Sequence, residues 1–293
     1  MFPSRLSIRS QSILLLAPYL LGALLLVVLP AGLSFYIAFT SYNGIGQPDF
    51  VGWQNFQLLR RDTLFWVALI NSLLFILMAV PLRLLGALGL ALFHSRPRRL
   101  SGFTRAAVYL PSIIPDAAYA LIWLWIFNPY YGPLNAALRT LGLPAPAWLV
   151  DPFWAPLAIV LMMLFQIGEG FVVLLAALRQ VPVEVYDAAR VDGANRWQTF
   201  ASVTLPLLSP WLVVLSVRDI ALSFQNTFTP AFMMTRGGPY YATFYTPFFI
   251  YETAFDGLRF GQAAAVMLIV FLLTMILVLI VYFMFEGWGF DEN

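Results

Sequence analysis

The chain has 293 residues, 61% hydrophobic and only 10% charged, where a soluble domain carries about a quarter charged residues. With no cysteine and one histidine, His94, it has no disulfide, no thiolate nucleophile and no multi-histidine metal site; its net charge of +2 says little about partners, and no nucleic acid is expected among them. All sixteen basic residues are arginine, so the chain cannot hold a G-x-x-x-x-G-K-[ST] phosphate loop, and any ATPase that drives it is another polypeptide.

Apolar stretches of about 20 residues recur, and such stretches are satisfied by spanning a bilayer as helices. The short alternating segments of a membrane β-barrel are absent. The expected class is an all-α, polytopic membrane protein. In chain order, Arg5 and Arg9 precede a first helix over 12–39. It is too long for a signal-peptide core and no A-x-A site follows, so it reads as an uncleaved span, with Pro18 and Pro30 as points of kinking. Residues 41–62 read as a loop, 64–93 as a second helix, and His94 to Phe103 as a basic turn in which His94 is solvated. A third helix is expected over 104–127, a turn-rich loop over 128–151, and a fourth helix over 153–178. The polar run Pro182 to Pro206 follows, then a fifth helix from 206 to 228, a partly amphipathic loop over 231–259, a sixth helix over 261–285 and a short acidic tail.

Six spans put both termini on one side. The N-terminus, the 94–105 turn and the polar run with Arg179 just before it carry nine arginines; the other three loops carry five. The positive-inside rule then makes the termini and the polar run cytoplasmic.

The polar run, PVEVYDAARVDGANRWQTFASVTLP, predicts helix, turn, helix. Val183 to Val191 has good helix formers, and Val185, Ala188 and Ala189 share one face. Glu184, Tyr186 and Asp187 ring that face. Gly193 ends the helix and permits a tight reversal, and a second short helix from 195 to 203 leads into the fifth span. On shape alone an interfacial amphipathic helix serves as well. The residues go further. Asp187-Ala188-Ala189, Gly193 after three intervening residues, and Val203 to Pro206 after nine more resemble the EAA loop of permease subunits from binding-protein-dependent ABC importers, E-A-A, x3, G, x9, I-x-L-P. Glu184, Tyr186, Asp192 and Ala194 fit the fuller sugar-permease form. Phe50-Val51-Gly52 with Asn55-Phe56, Tyr109-Leu110-Pro111, Trp123 to Asn128, Tyr131-Gly132 to Asn135, and Thr235 with Gly237-Gly238-Pro239 resemble further motifs of the maltose-type first permease subunit. Arg236 replaces a glycine of that last motif, and Glu286, Asp291 and Glu292 stand where a basic tail is usual.

The resemblance implies a type I ABC importer transmembrane fold with six helices in one membrane domain over 1–293, a core over 66–285 and a coupling loop over 179–206. It implies a bacterial or archaeal inner membrane and a second, non-identical permease subunit. Two cytoplasmic ATPases, which hold the ATP and Mg, would grip the coupling loop, and an external solute-binding protein would deliver the cargo. Lipid surrounds the chain; no cofactor or metal belongs to it.

Ionisable groups at membrane depth face a bundle interior or a cavity. Asp116, Glu169, Arg218 and Asp219 are the candidates for an intramembrane charge network. Adjacent helical positions lie about 100° apart, so Arg218 is expected to meet Glu169 or Asp116 across helices rather than Asp219. Gln166, Glu169, Ser223, Gln225 and Asn226 are expected to line a sugar pathway, with polar glue between helices as the alternative. Two other functional classes stand beside the importer. An intramembrane protease lacks G-x-S-x-G and G-x-G-D here, and an ion-coupled transporter would use Glu169 and Asp116 as relays. Within the importer class, Arg218 keeps a glycerol-3-phosphate cargo open.

Overall fold

A computed structural model describes residues 8–95 and 101–286, and side chains over 12–95 and 102–284. The expectations placed on Arg5, Arg96, Arg98, Arg99, Asp291 and Glu292, and on the side chains of Arg9 and Glu286, lie outside those residues. Among the described residues regular structure is helical, apart from one isolated bridge between Thr40 and Phe50. The helices are α1 (Ile8–Ala23), α2 (Leu29–Ile37), α3 (Gln54–Arg61), α4 (Thr63–His94), α5 (Ser101–Tyr109), α6 (Asp116–Ile126), α7 (Pro133–Thr140) and α8 (Trp154–Leu164). They continue as α9 (Gly168–Gln180), α10 (Val183–Val191), α11 (Arg196–Thr199), α12 (Leu205–Asn226), α13 (Phe228–Pro230), α14 (Thr246–Tyr251) and α15 (Phe260–Glu286). Wide π turns join several of them, at Leu24–Val28, Phe200–Thr204, Ala231–Thr235 and Glu252–Asp256.

Among the described residues four helices are long and apolar enough to cross a membrane: Ser12–Ile37, Thr63–His94, Arg196–Thr235 and Phe260–Met284. Two bent pairs bring the number to six when each pair counts as one span. Both bends correct the expectation of unbroken third and fourth helices. The third turns through 103° between Ile113 and Asp116. Ile114, before Pro115, is extended (ψ 130°), since proline disfavours the helical conformation in the residue before it. The fourth bends by 45° between Leu164 and Gly168. No proline lies at that break. Instead Gly168 packs so closely on the third helix that a Cβ there would stand 2.7 Å from Tyr109 Cα and 2.9 Å from the Val108 carbonyl oxygen. The first helix, by contrast, runs through Pro18 and changes pitch at its π turn.

The chain divides into two compact units, Met1–Asp62 with Ile250–Val270, and Thr63–Phe249 with Phe271–Asn293. In the first, α3 forms inside the expected loop. Its buried Asn55 donates from Nδ2 to the carbonyls of Ala38 (2.8 Å) and Thr40 (2.9 Å), satisfying acceptors left free at the end of α2. That is the physical content of the F-V-G-x-x-N-F run. Gly261 sits against the Thr40 carbonyl, where a Cβ would come within 2.0 Å of the oxygen.

In the second unit α4 packs on α8, α9 and α12, and α5 packs on α9. Ala87, Leu88 and Ala91 of α4 meet Phe171, Leu174, Leu175 and Leu178 of α9 and Leu208, Leu212 and Leu215 of α12 in one apolar core. Positions three and four apart share a helix face, so these three stripes are the inner faces of one block. His94 belongs to it, correcting the solvated reading. It is 7% exposed, its Nδ1 donates to the Leu90 carbonyl (2.9 Å), its Nε2 is hydrogen-bonded to the Thr104 hydroxyl (3.0 Å), and its ring meets Phe171 edge-on.

The Y-G-x-x-N run is also a local scaffold. Asn135 is fully buried, donates to the carbonyls of Pro129 and Pro146, and accepts from Trp148 Nε1 at 2.8 Å. At the other glycine-rich loop, Arg236 takes the left-handed conformation (φ 48°) in the place where the resembled motif has glycine.

Candidate functional site

The polar run folds as a lever between the fourth and fifth spans. α10 begins after Pro182, with Glu184 in its first turn and Arg190 in its last, each favourable to the helix dipole. Asp187 accepts from Arg190 at 2.8 Å one turn on. At the far end the Gly193 N–H donates to the Arg190 carbonyl (3.0 Å) and the Ala194 N–H to the Ala189 carbonyl (2.9 Å), the paired bonds of a Schellman turn. Gly193 supplies its positive φ, +77°, in open space. Asn195 then caps α11. Its side chain accepts from the Gln198 N–H (2.9 Å), while Gln198 Oε1 accepts from the Asn195 N–H (2.8 Å), a reciprocal capping box. The N-x-x-Q spacing carried this signal in the sequence.

Glu184, Asp187, Ala188, Asp192 and Gly193 are exposed, and Ala189 is half-buried. Val183, Val191 and Trp197 on the same two helices are also exposed. Tyr186 turns the other way, back toward the fifth span, where its hydroxyl oxygen accepts from buried Thr204 at 3.4 Å. Ala194 is half-buried and helps line a cleft of about 780 Å³ with Ser95, Tyr186, Arg190, Arg196 and Phe200.

The second cluster runs from the inside of the block, where Arg83 and Asp219 are buried, out to half-buried Arg218 and Glu169. Arg218 of α12 pairs with Glu169 of α9, as expected, and also with its neighbour Asp219 at 3.1 Å, which was not. The 100° between adjacent positions is spanned by the length of the arginine side chain. Asp219 in turn stands 3.6 Å from Nε of Arg83 on α4, and Arg83 Nη2 donates to the Gln166 carbonyl at 3.3 Å. The chain of charges is therefore Arg83, Asp219, Arg218, Glu169, two of each sign. Asp116 stands outside it. It is an exposed first-turn acid of α6 and makes no ion pair among the described residues. Arg83 was missed as a site residue, although a lone arginine deep in a long apolar run is itself the signal.

Of the expected pathway residues, Glu169 is held by Arg218, and Gln166 contributes its backbone carbonyl at the break while its side chain is half-buried. Gln225 is exposed and Asn226 half-buried at the end of α12. Ser223 is buried and donates to the carbonyl of Asp219 in its own helix at 2.6 Å, so in this conformation it serves packing rather than lining a cavity. Ser216 and Thr227 are satisfied in the same way, as hydroxyls within helices commonly are.

Residues 88–287 match the family described as the binding-protein-dependent transport system inner membrane component. The chain is 31% identical to the probable ABC transporter permease protein YesP of Bacillus subtilis, over 95% of this chain and 91% of that one. It is 33% identical to the sulfoquinovosyl glycerol transport system permease protein SmoG of Agrobacterium fabrum, over 91% of this chain and 87% of that one. Among solved structures, a bacterial ABC transporter involved in the import of the acidic polysaccharide alginate superimposes with a TM-score of 0.80 at 23% identity, covering 96% of this chain and 97% of that one.

Proposed function

The chain belongs to the family of inner membrane components of binding-protein-dependent transport systems, and from that premise we propose that it is the permease subunit of an ATP-driven sugar importer. An external solute-binding protein delivers the sugar, a second, related permease subunit completes the pathway, and two cytoplasmic ATPases supply the energy. ATP and its Mg bind those ATPases; this chain has no lysine with which to build a phosphate loop of its own.

The observation that carries the reading is the lever. A separate ATPase can move this chain only by gripping something outside the membrane. The lever, whose exposed α10 is closed by the Gly193 turn, is joined to α9 at one end and, through α11 and the π turn, to α12 at the other. Exposed Ala188 allows close approach of a partner surface, and Glu184, Asp187 and Asp192 would orient it. Tyr186 works on the inner side, tying the lever to Thr204 at the base of the fifth span. The arginine excess puts the lever and both termini in the cytoplasm.

For the cargo, sugar transport is in the names of relatives such as SmoG. The amides of Gln166, Gln225 and Asn226, with Glu169, are the groups we assign to its hydroxyls. A phosphorylated polyol would call for an uncompensated cation, and Arg218 is compensated on both sides by Glu169 and Asp219. The test is co-purification and uptake. The wild-type chain should come down with a P-loop ATPase and support ATP-dependent sugar uptake, while Gly193→Arg should lose the ATPase without losing the chain from the membrane. Uptake that runs on an ion gradient with no ATPase bound would refute the proposal.

A further inference from the structure

We propose that Arg83 is a positioning residue for transport: it fastens the break in the fourth span to the block that the lever moves, so that the span bends where the ATPases dictate. The inference rests on the importer reading above.

The lever joins the lower ends of α9 and α12. About 17 Å up α9 from Gln180, at 1.5 Å per residue, is Glu169, and about 20 Å up α12 from Leu205 is Arg218. Their ion pair therefore closes a frame of two helical struts, with the lever at one end and a charge contact at the other. The apolar core fills the space between the struts and adds α4 to them. Where that frame ends, the fourth span breaks, and the break leaves the Gln166 carbonyl outside the α9 ladder.

Arg83 meets that carbonyl from α4 with Nη2, and meets Asp219 with Nε. It is 8% exposed, so few groups compete for its charge. Both contacts are long, and Nε has no hydrogen-bond partner. A void of about 10 Å³ adjoins it, lined by Arg83, Ile167, Gly170, Leu215 and Asp219 among others. A buried cation that is incompletely satisfied is costly where it stands, so it favours any movement of the break that improves its contacts. Neutralising Asp219 would need only a positive charge. Reaching both Asp219 and Gln166 needs the planar fork of arginine.

The chain has no cysteine, so Phe165→Cys, at a side chain 53% exposed beside the break, gives this subunit a single labelling site. In the assembled complex its maleimide labelling rate is compared without nucleotide and with ATP, Mg and vanadate. With Arg83 intact, nucleotide should change the rate at least about fivefold, the lower end of typical coupling between sites. In Arg83→Lys, and in Arg83→Met with Asp219→Asn, the complex should assemble but the rate should no longer respond to nucleotide. Retention of the response by the double variant would show that Arg83 merely neutralises Asp219, and would overturn the proposal. Failure of Arg83→Lys to assemble would make Arg83 a folding residue and overturn it too. Should only the double variant fail to assemble, the lysine variant decides by the same criterion. No response with Arg83 intact would mean that the break does not move with nucleotide and would overturn this inference, while the importer reading stands or falls by its own uptake test.

Discussion

Gly168 and Gly193 are both glycine for opposite reasons. Gly168 has an ordinary helical backbone and no room, since a methyl group would press on the Tyr109 backbone. Gly193 has room and a left-handed backbone. Gly168→Ala should therefore lower the melting temperature of the purified complex through overpacking, at about 1–3 kcal/mol. Gly193→Ala should cost about 1–2 kcal/mol, from backbone conformation alone, and chemical denaturation of the two variants measures both costs. Only Gly193 was legible in the sequence, because its role is local and its spacing from Asp187-Ala188-Ala189 is a motif. The need for Gly168 arises where two segments about 60 residues apart touch, which no local pattern records. Arg83 fails the same way. Its isolation in an apolar run marks it as unusual, but its partners lie on α12 and in the break of the fourth span.

At the scale of the element, hydropathy found the apolar segments and could not see direction. A run that turns through 103° has the same composition as a straight one, so hydropathy alone predicts single rods for the third and fourth spans. The Pro111 and Pro115 pair was the available clue to the first break; the 45° bend at Gln166 had none. The lever was more readable because turns and caps are written locally. Its first helix was expected over Val183 to Val191 and has those bounds. The second, expected over 195–203 and leading into the fifth span, does lead into it, through a π turn at Phe200–Thr204 that the sequence did not announce. Asn195→Ala removes half of the capping box and should cost about 1 kcal/mol. Faster amide exchange over Arg196 to Thr199, with α10 unchanged, is the measurement that checks it.

For the whole molecule, the arginine count makes a prediction about sides. A cysteine at Gln198 should be labelled by a membrane-impermeant maleimide only in inverted vesicles, and one at Asn43 only in right-side-out cells. The reverse pattern would reverse the proposed topology. The helix from Arg196 to Thr235 is 40 residues long, about 60 Å at 1.5 Å per residue and twice the thickness of a bilayer's hydrocarbon core. Such an object behaves as a torsion rod: a twist applied at one end arrives at the other. The wide turn at Phe200–Thr204 sets its angular phase. Tightening that turn to α pitch with every residue kept would rotate the rod beyond it by about 100° and swing Arg218 off Glu169. Removing one residue while tightening it would leave the phase unchanged. Indexing of this kind turns a small push at the lever into a discrete click at the charges.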